Sequence, residues 1–216
     1  MTIEGKTGAA LSEPIYAGDL LYPVKVLGPG SRIGIWLTGC SRGCRNCISP
    51  DFQARSERQK VTVGRLLSLV RAVADEKPVD GITISGGEPF EQPEALRALL
   101  PELEKITSDI LVYTGFLKER LESLGYGDIL EHVGVLIDGP YIESRNVGSF
   151  LRGSDNQQIH FLKTELEEKY APAMADGVNR LQLFRSGSGF VSVGIVKPGF
   201  SDELGRNLAA KGVNLF

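Results

Sequence analysis

Three short apolar runs, "DGITISGG" (80–87), "DILVYTG" (109–115) and "VGVLIDG" (133–139), alternate with the helical patterns "PEALRALLPELEKI" and "FLKERLESL". Each run is short for a helix and ends in glycine, as buried strands do where they give way to a turn. Strand–helix–strand order with short links leaves few folds open, because parallel neighbours need a crossover and that crossover is right-handed. The same rhythm begins earlier in the chain. "YPVKVLG" and "RIGIWLTG" read as strands around the Gly-Pro-Gly turn at 28–30, and "TVGRLLSLVRAVADEK" repeats Leu66, Leu67, Val70 and Val73 at helical spacing. The second helical pattern runs through Pro101, a site for a kink. Downstream, "QQIHFLK" adds a strand and "NRLQLFRSGSGFVSVGIV" reads as an antiparallel hairpin turned at "SGSG". "SDELGRNLAAKG" closes the chain as a helix, with Ser201 as N-cap and Gly212 as C-cap. No repeat or Pro/Gly-rich linker divides this pattern, so one α/β domain over residues 1–216 is expected.

Charge and composition narrow the function classes. A formal net charge of −3 and a pI near 5.5 argue against a protein that lives on nucleic acid or anionic lipid. Glu4, Lys6, Glu13 and Asp19 interrupt any signal-peptide core, and no uncharged apolar run approaches the ~18 residues of a membrane span. A cytoplasmic protein is expected. There, clustered thiols point to metal binding or catalysis before disulfides.

All three cysteines fall in "GCSRGCRNC", as Cys40, Cys44 and Cys47. Structural zinc sites close with four ligands, commonly as two spaced pairs. A fourth ligand would have to come from His132, His160 or a carboxylate, and neither histidine lies near in sequence. A redox pair of Cys44 and Cys47 leaves Cys40 unexplained. A [4Fe–4S] cluster on three thiolates keeps one iron open for a ligand, by the logic that opens catalytic zinc. These readings stand side by side on spacing alone, with the cluster favoured.

Cys-x3-Cys-x2-Cys after a strand, followed about forty residues later by a strand running into "SGGEP", resembles the radical S-adenosylmethionine (SAM) superfamily. The resemblance implies an open, partial (β/α)6 barrel of TIM type, with the C-terminal hairpin and helix added to it. It also implies a cofactor pair, the [4Fe–4S] cluster and SAM, whose reductive cleavage gives methionine and a 5′-deoxyadenosyl radical. Gly86, Gly87 and Glu88 would meet SAM's methionyl ammonium, since strand-end glycines let backbone approach a ligand. On that view Gly87→Val weakens SAM binding more than cluster assembly. Asn46 stands where relatives carry an aromatic or apolar residue against adenine, so a backbone contact is expected of it. Thr114 ends the strand that offers a polar group to ribose or carboxylate. Asp138 ends the next strand over the same mouth.

"VLIDGPYIESRN" with "LRGSDNQQI" narrows the resemblance to the small activating enzymes of anaerobic ribonucleotide reductases, over roughly residues 22–163. That branch installs a glycyl radical on a partner enzyme. Arg152 would anchor a carboxylate or phosphate, while Ser154, Asn156 and Gln157 would hold adenine or order their loop. Arg42 and Arg45 flank the cysteines, where they would offset cluster charge or dock a flavodoxin- or ferredoxin-type electron donor. Trp36 and both histidines read as structural. With three cysteines there is no cysteine-bound auxiliary cluster. The segment 178–216 exceeds a minimal activase, and "SGSG" lacks the lysine of a phosphate-binding loop. Alternatives are a stand-alone radical SAM enzyme for a peptide or small metabolite, and a non-catalytic zinc or iron–sulfur module.

Overall fold

The computed structural model describes residues 10–187 and 189–210. Seven strands form one sheet in the order β3-β1-β2-β4-β5-β6-β7: β1 Pro14–Val24, β2 Arg32–Leu37, β3 Lys60–Thr62, β4 Gly81–Gly86, β5 Ile110–Tyr113, β6 Val135–Asp138 and β7 Gln158–Phe161. The central four, β2, β4, β5 and β6, are parallel. β1 and β3 extend one edge, and β7 the other, by antiparallel pairing. The parallel strands are therefore joined by three crossovers and not by six βα units. After β6 the chain turns straight back as β7, and an antiparallel neighbour needs no crossover helix. The end strands β3 and β7 do not pair with each other, so the sheet is open.

Side-chain alternation explains how the sheet is covered. Ile33, Ile35, Ile82, Ile84, Ile110, Val112 and Leu136 point to one face, where helices α1 (Val63–Glu76), α2 (Pro93–Glu104), α3 (Lys118–Ser123) and α4 (Gly127–Leu130) pack on them. Thr62 caps α1 by accepting from the Arg65 amide at 3.1 Å. Helix α2 is unbroken through Pro101, with Leu99, Leu100 and Leu103 buried around it.

The opposite face carries Arg32, Trp36, Thr83, Leu111, Tyr113, Val135 and Ile137. Helix α5 (Glu167–Asp176) covers one part through Tyr170, packed with Leu111, Val135 and Ile137. A second sheet, the hairpin of β8 (Gln182–Ser186) and β9 (Gly189–Val193), covers another part: Val193 and Ile195 join Val24, Leu27 and Trp36. Helix α6 (Phe200–Ala209) follows. Ser201 is its second residue and not its N-cap; Gly212 lies outside the described residues.

Beneath that face, at the starting ends of the strands, Arg32 is fully buried and forks onto Asp109 at 2.8 and 3.0 Å. Tyr170 OH donates to the same carboxylate at 2.7 Å and Lys169 lies 2.7 Å from it. Gly81 admits the guanidinium, because a Cβ there would sit 2.2 Å from an Arg32 nitrogen. This buried ion pair fixes β2, β4 and β5 relative to one another. Their finishing ends lie at the other edge, where ligand sites of parallel sheets collect.

Candidate iron–sulfur centre

The cysteine loop leaves the end of β2, and its two ends are tied together. Gly39 N donates to Phe52 O and Cys40 N to Gln53 O, both at 2.9 Å. The "SGGEP" turn is packed against this junction. Gly87 N donates to Leu37 O at 2.7 Å, and Glu88 N to Gly39 O at 2.8 Å. Gly86 has φ +106°, and a Cβ on it would lie 2.2 Å from Leu37 O. A Cβ on Gly87 would lie 2.3 Å from Gly39 O and 2.7 Å from Phe52 O. These glycines are needed for backbone packed on backbone, one residue before the first cysteine. The expectation that Gly87→Val acts chiefly on SAM is corrected accordingly: the same clash falls on the cysteine loop.

Further braces come from the residues after the turn. Glu91 Oε1 accepts from Ser41 N at 2.8 Å and from Ser41 Oγ at 2.7 Å. The Gln92 amide pairs with the backbone of Tyr16 in both directions and reaches Thr38 O. Neither residue carries a local sequence signal, because each acts on a segment distant in the chain.

A cavity of about 590 Å³ opens at these strand ends, lined by Cys40, Cys44 and Cys47 together with Ser85, Gly86, Gly87 and Glu88 from the end of β4. Thr114 and Gly115 after β5, and Gly139, Tyr141, Gly153 and Gln157, complete that side. The opposite wall is Phe190–Ile195 of the hairpin with Trp36 behind it. All three cysteines are free thiols, half-buried. Among the described residues, no three His, Cys, Asp or Glu side chains converge as a ready-made site for a single ion.

The thiols carry backbone support of the kind a thiolate uses. Ser49 N donates to Cys47 Sγ at 3.4 Å, and the Arg42 amide donates to Cys40 Sγ. Burial pushes the Cys40 thiol up; the Arg42 amide opposes this, while Glu88, Glu91 and Cys47 add to it. Metal loading must therefore displace a proton there. Three accessible sulfurs facing one cavity, two of them with amide donors, fit a cluster held by three thiolates.

Glu88 is 1 % exposed and its carboxylate is fully engaged. It accepts from Thr114 Oγ1 at 2.8 Å, from Gly115 N at 2.7 Å and from Phe90 N at 3.1 Å. Burial raises its carboxyl above the ordinary range, against those three bonds. Glu88 and Thr114 thus clamp the end of β4 to the end of β5. Each lines the cavity, yet the polar atoms expected to face SAM are turned to each other.

Other expected residues stand further off. Asp138 is buried and accepts from Lys118 N at 2.7 Å, at the start of α3, so it does not line the cavity. Asn46 has φ +51°, a conformation asparagine tolerates, and its side chain donates to Glu143 at 2.6 Å, away from the cavity. The 152–157 loop is held by its own groups. Gln157 accepts from Gly153 N and Ser154 N and donates to Gly139 O, and Ser154 Oγ accepts from Ile142 N. Asn156 donates to Pro140 O, with its Oδ1 buried and unpartnered; Arg152 bonds Gln157 O. Of these, Gln157 reaches the cavity wall.

The two arginines of the loop part company. Arg45 is exposed and lies 3.8 Å from Glu143. Arg42 turns inward and lines the cavity, stacked on Phe116 at 4.8 Å. His132 bonds Glu104 and His160 lies beside Asp138; neither lines the cavity.

The sequence around this site is similar to that of known proteins. A family model described as "4Fe-4S single cluster domain" matches residues 26–160. The anaerobic ribonucleoside-triphosphate reductase-activating protein of Haemophilus influenzae is 30% identical over 152 residues, covering 66% of this chain and 96% of that protein. Its counterpart from Enterobacteria phage T4 is 28% identical over 151 residues, covering 65% and 91%. Among solved structures, QueE from Escherichia coli superposes on 53% of this chain and 57% of its own, with a TM-score of 0.42 and 19% identity. The family description decides between cluster and zinc at the cysteine loop. With more than half of its residues matched, the chain belongs to the 4Fe-4S single cluster domain family.

Proposed function

We propose that this protein is a radical SAM enzyme that activates a glycyl-radical enzyme of the anaerobic ribonucleoside-triphosphate reductase kind. Cys40, Cys44 and Cys47 hold the cluster, and SAM occupies the cavity between the cysteine loop and the ends of β4 and β5. The observation that carries this reading is the cavity itself: three thiols and no fourth cysteine, facing a glycine-lined strand end. The names of the relatives supply the partner class. When bound, cluster and cofactor supply one-electron cleavage of the sulfonium, giving methionine and a 5′-deoxyadenosyl radical that takes hydrogen from a glycine Cα of the partner.

The chain's own residues prepare that space. Gly86 and Gly87 set the cysteine loop against β4, and Glu88 with Thr114 holds the end of β5 in register. Asn46, through its left-handed backbone, turns Cys47 toward the cavity. Ser154, Gln157, Asn156 and Arg152 order the loop that forms one side of the mouth, and Asp138 fixes the start of α3 beside it. We read the open sheet as a partial barrel, residues 1–216 as one domain, and the hairpin as the wall that meets the substrate. A flavodoxin- or ferredoxin-type donor in the cytoplasm would supply the electron. Among the described residues no helix is long and apolar enough to cross a membrane.

Anaerobic reconstitution with iron and sulfide tests the proposal. With a strong reductant, the loaded protein should convert SAM to methionine and 5′-deoxyadenosine. With the partner added, a glycyl-radical EPR signal should appear on the partner. A loaded protein that leaves SAM intact would refute the enzyme reading and favour a non-catalytic module.

A further inference from the structure

The loop between β6 and β7 is shaped at residues 148–151 by a side chain from outside it. Leu151 has φ +57°, in the left-handed region, where a leucine persists only if its surroundings fix it. Two things do so. Its side chain is fully buried with Leu111, Val135, Ile137 and Tyr170, and its N–H donates to Asn179 Oδ1 at 3.0 Å. The Nδ2 of the same Asn179 donates to Ser149 O at 2.9 Å and to Gly148 O at 3.2 Å. One half-buried amide thus meets three backbone groups of the turn, from 28 to 31 positions further along the chain.

A reciprocal contact joins the same two segments: Asn146 donates to Val196 O at 2.9 Å. Gln182 donates to Pro23 O at 2.7 Å and accepts from Lys25 N at 2.9 Å. Asn179 and Gln182 therefore pin the chain entering the hairpin, and Asn146 pins the chain leaving it. The turn that Asn179 holds runs directly into the cavity wall. Arg152 N donates to Ser149 O, and Gln157 Oε1 accepts from Gly153 N and Ser154 N. Gly153 and Gln157 line the cavity, so turn and wall form one hydrogen-bonded piece. We propose that Asn179 is a positioning residue for the cavity: it fixes the 148–151 turn and, through it, the place of Gly153 and Gln157 in the wall. An amide suits the task, since one side chain carries the acceptor for Leu151 N–H and the donors for two carbonyls. Asn179 lies outside residues 26–160, the stretch matched to the family. The shape of the site is then set in part by a segment that the family match does not include. The proposal rests on the reading above that SAM occupies this cavity.

The test compares wild type, Asn179→Ala, Asn179→Asp and Asn146→Ala. Amide hydrogen exchange is measured on the cluster-free proteins. Iron content and the SAM dissociation constant, by equilibrium dialysis, are measured after anaerobic reconstitution. Asn179→Ala should speed exchange at Leu151, Gly153 and Ser154 at least about tenfold, since more than one hydrogen bond is lost. Amides of β4 and β5 should keep their protection, and iron content should be unchanged. SAM should bind about 3–10-fold more weakly, as when the wall holds its place for about a tenth to a third of the time. Asn179→Asp keeps the acceptor for Leu151 N–H alone, so both effects should fall between those of wild type and Asn179→Ala.

Asn146→Ala is the second route, because it loosens the same junction from the other side, and it should show the same pattern even if Asn179→Ala folds poorly. Unchanged exchange at Leu151, Gly153 and Ser154 overturns the proposal, as does an equal loss of protection throughout the chain. Faster exchange in this loop with an unaltered SAM constant also overturns it, since Asn179 would then shape the turn without positioning the wall. If the wild type itself binds no SAM, the reading of the cavity fails first, and the role of Asn179 fails with it.

Discussion

Replacing Gly87 by alanine introduces one methyl group at a crowded backbone crossing of the site. The new Cβ would lie 2.3 Å from Gly39 O and 2.7 Å from Phe52 O, and neither atom belongs to a side chain that can rotate away. Relief requires the "SGGEP" turn and the cysteine loop to separate. Three hydrogen bonds cross or close that junction: Gly87 N to Leu37 O, Glu88 N to Gly39 O, and Gly39 N to Phe52 O. If the overlap is only partly relieved, overpacking costs about 1–3 kcal/mol. Weakening one or two of the bonds adds about 1 kcal/mol each. The sum is about 2–5 kcal/mol, a large part of the ~5–15 kcal/mol that holds a domain together. It corresponds to a fall of roughly 4–20 °C in the unfolding midpoint at this chain length.

The assay is thermal or urea unfolding of cluster-free protein, paired with iron per chain after anaerobic reconstitution. Working without the cluster matters, because a ligand that binds the folded state would mask the loss. Gly205→Ala provides the internal control. It lies on α6 with nothing within 4 Å of the added Cβ, so it should be neutral or stabilising by up to about 1 kcal/mol. Both properties of Gly87→Ala should fall together. An unchanged midpoint with a full iron complement would refute the view that this glycine supports the cysteine loop, and would return it to the SAM-binding role expected from sequence.

Two further predictions concern the thiols and the buried carboxyl. Cys40→Ala, Cys44→Ala and Cys47→Ala should each lose the cluster's visible absorbance, iron content and SAM cleavage, because no spare cysteine exists; a variant retaining full iron would break the ligand assignment. Glu88 binds its proton more tightly when folded than when unfolded, because burial raises its carboxyl. Its contribution is therefore greatest below the ordinary glutamate pKa of about 4.3 and is lost as pH rises through the raised folded value. Glu88→Gln cannot titrate, so the stability difference between wild type and variant should move in the variant's favour as pH rises above about 4. Urea midpoints of the cluster-free proteins would measure it, and parallel pH profiles would contradict the argument.

The parallel strands were legible because their alternation is strict: Ile82 and Ile84, or Ile110 and Val112, face the helices with no exception to interpret. β1 was harder. It begins at Pro14, but the register slips between Ala17 and Asp19, and Gly18 and Asp19 there interrupt the apolar pattern. Helix α5 carries Pro172 and buries Tyr170 alone, so it has no stripe for periodicity to detect. At the site, the three cysteines and two glycines could be read from spacing. The direction of a side chain could not. Arg42 and Arg45 are three positions apart in the same motif, yet one stacks in the cavity and the other faces solvent. Glu88 and Thr114 each looked like a ligand contact because the bond between them joins positions 26 apart in the chain.

The hairpin is where an activase and a small-molecule enzyme would differ most. Phe190 through Ile195 line the cavity consecutively, in contrast to the alternate residues a sheet face would supply. That pattern presents the long edge of β9, whose described strand partner is β8. An unpaired strand edge inside a cavity is suited to an extended backbone, such as a glycine-bearing loop of a partner. Deleting 178–216 would be an unclean test, because Val193 and Ile195 cover Trp36 and Gln182 bonds the backbone at Pro23 and Lys25. Phe190 and Leu183 offer a better one. They are 71% and 56% exposed and lie outside the buried clusters. The double alanine variant should unfold within about 0.5 kcal/mol of the wild type. It should bind the partner at least about tenfold more weakly, as expected when an exposed aromatic anchor is removed, and the glycyl-radical yield at limiting partner should fall with it. If the hairpin instead shields a small substrate from water, partner affinity would not change, while turnover of SAM into 5′-deoxyadenosine without product would rise. That outcome would rule out the docking role of β9 and favour the small-molecule reading.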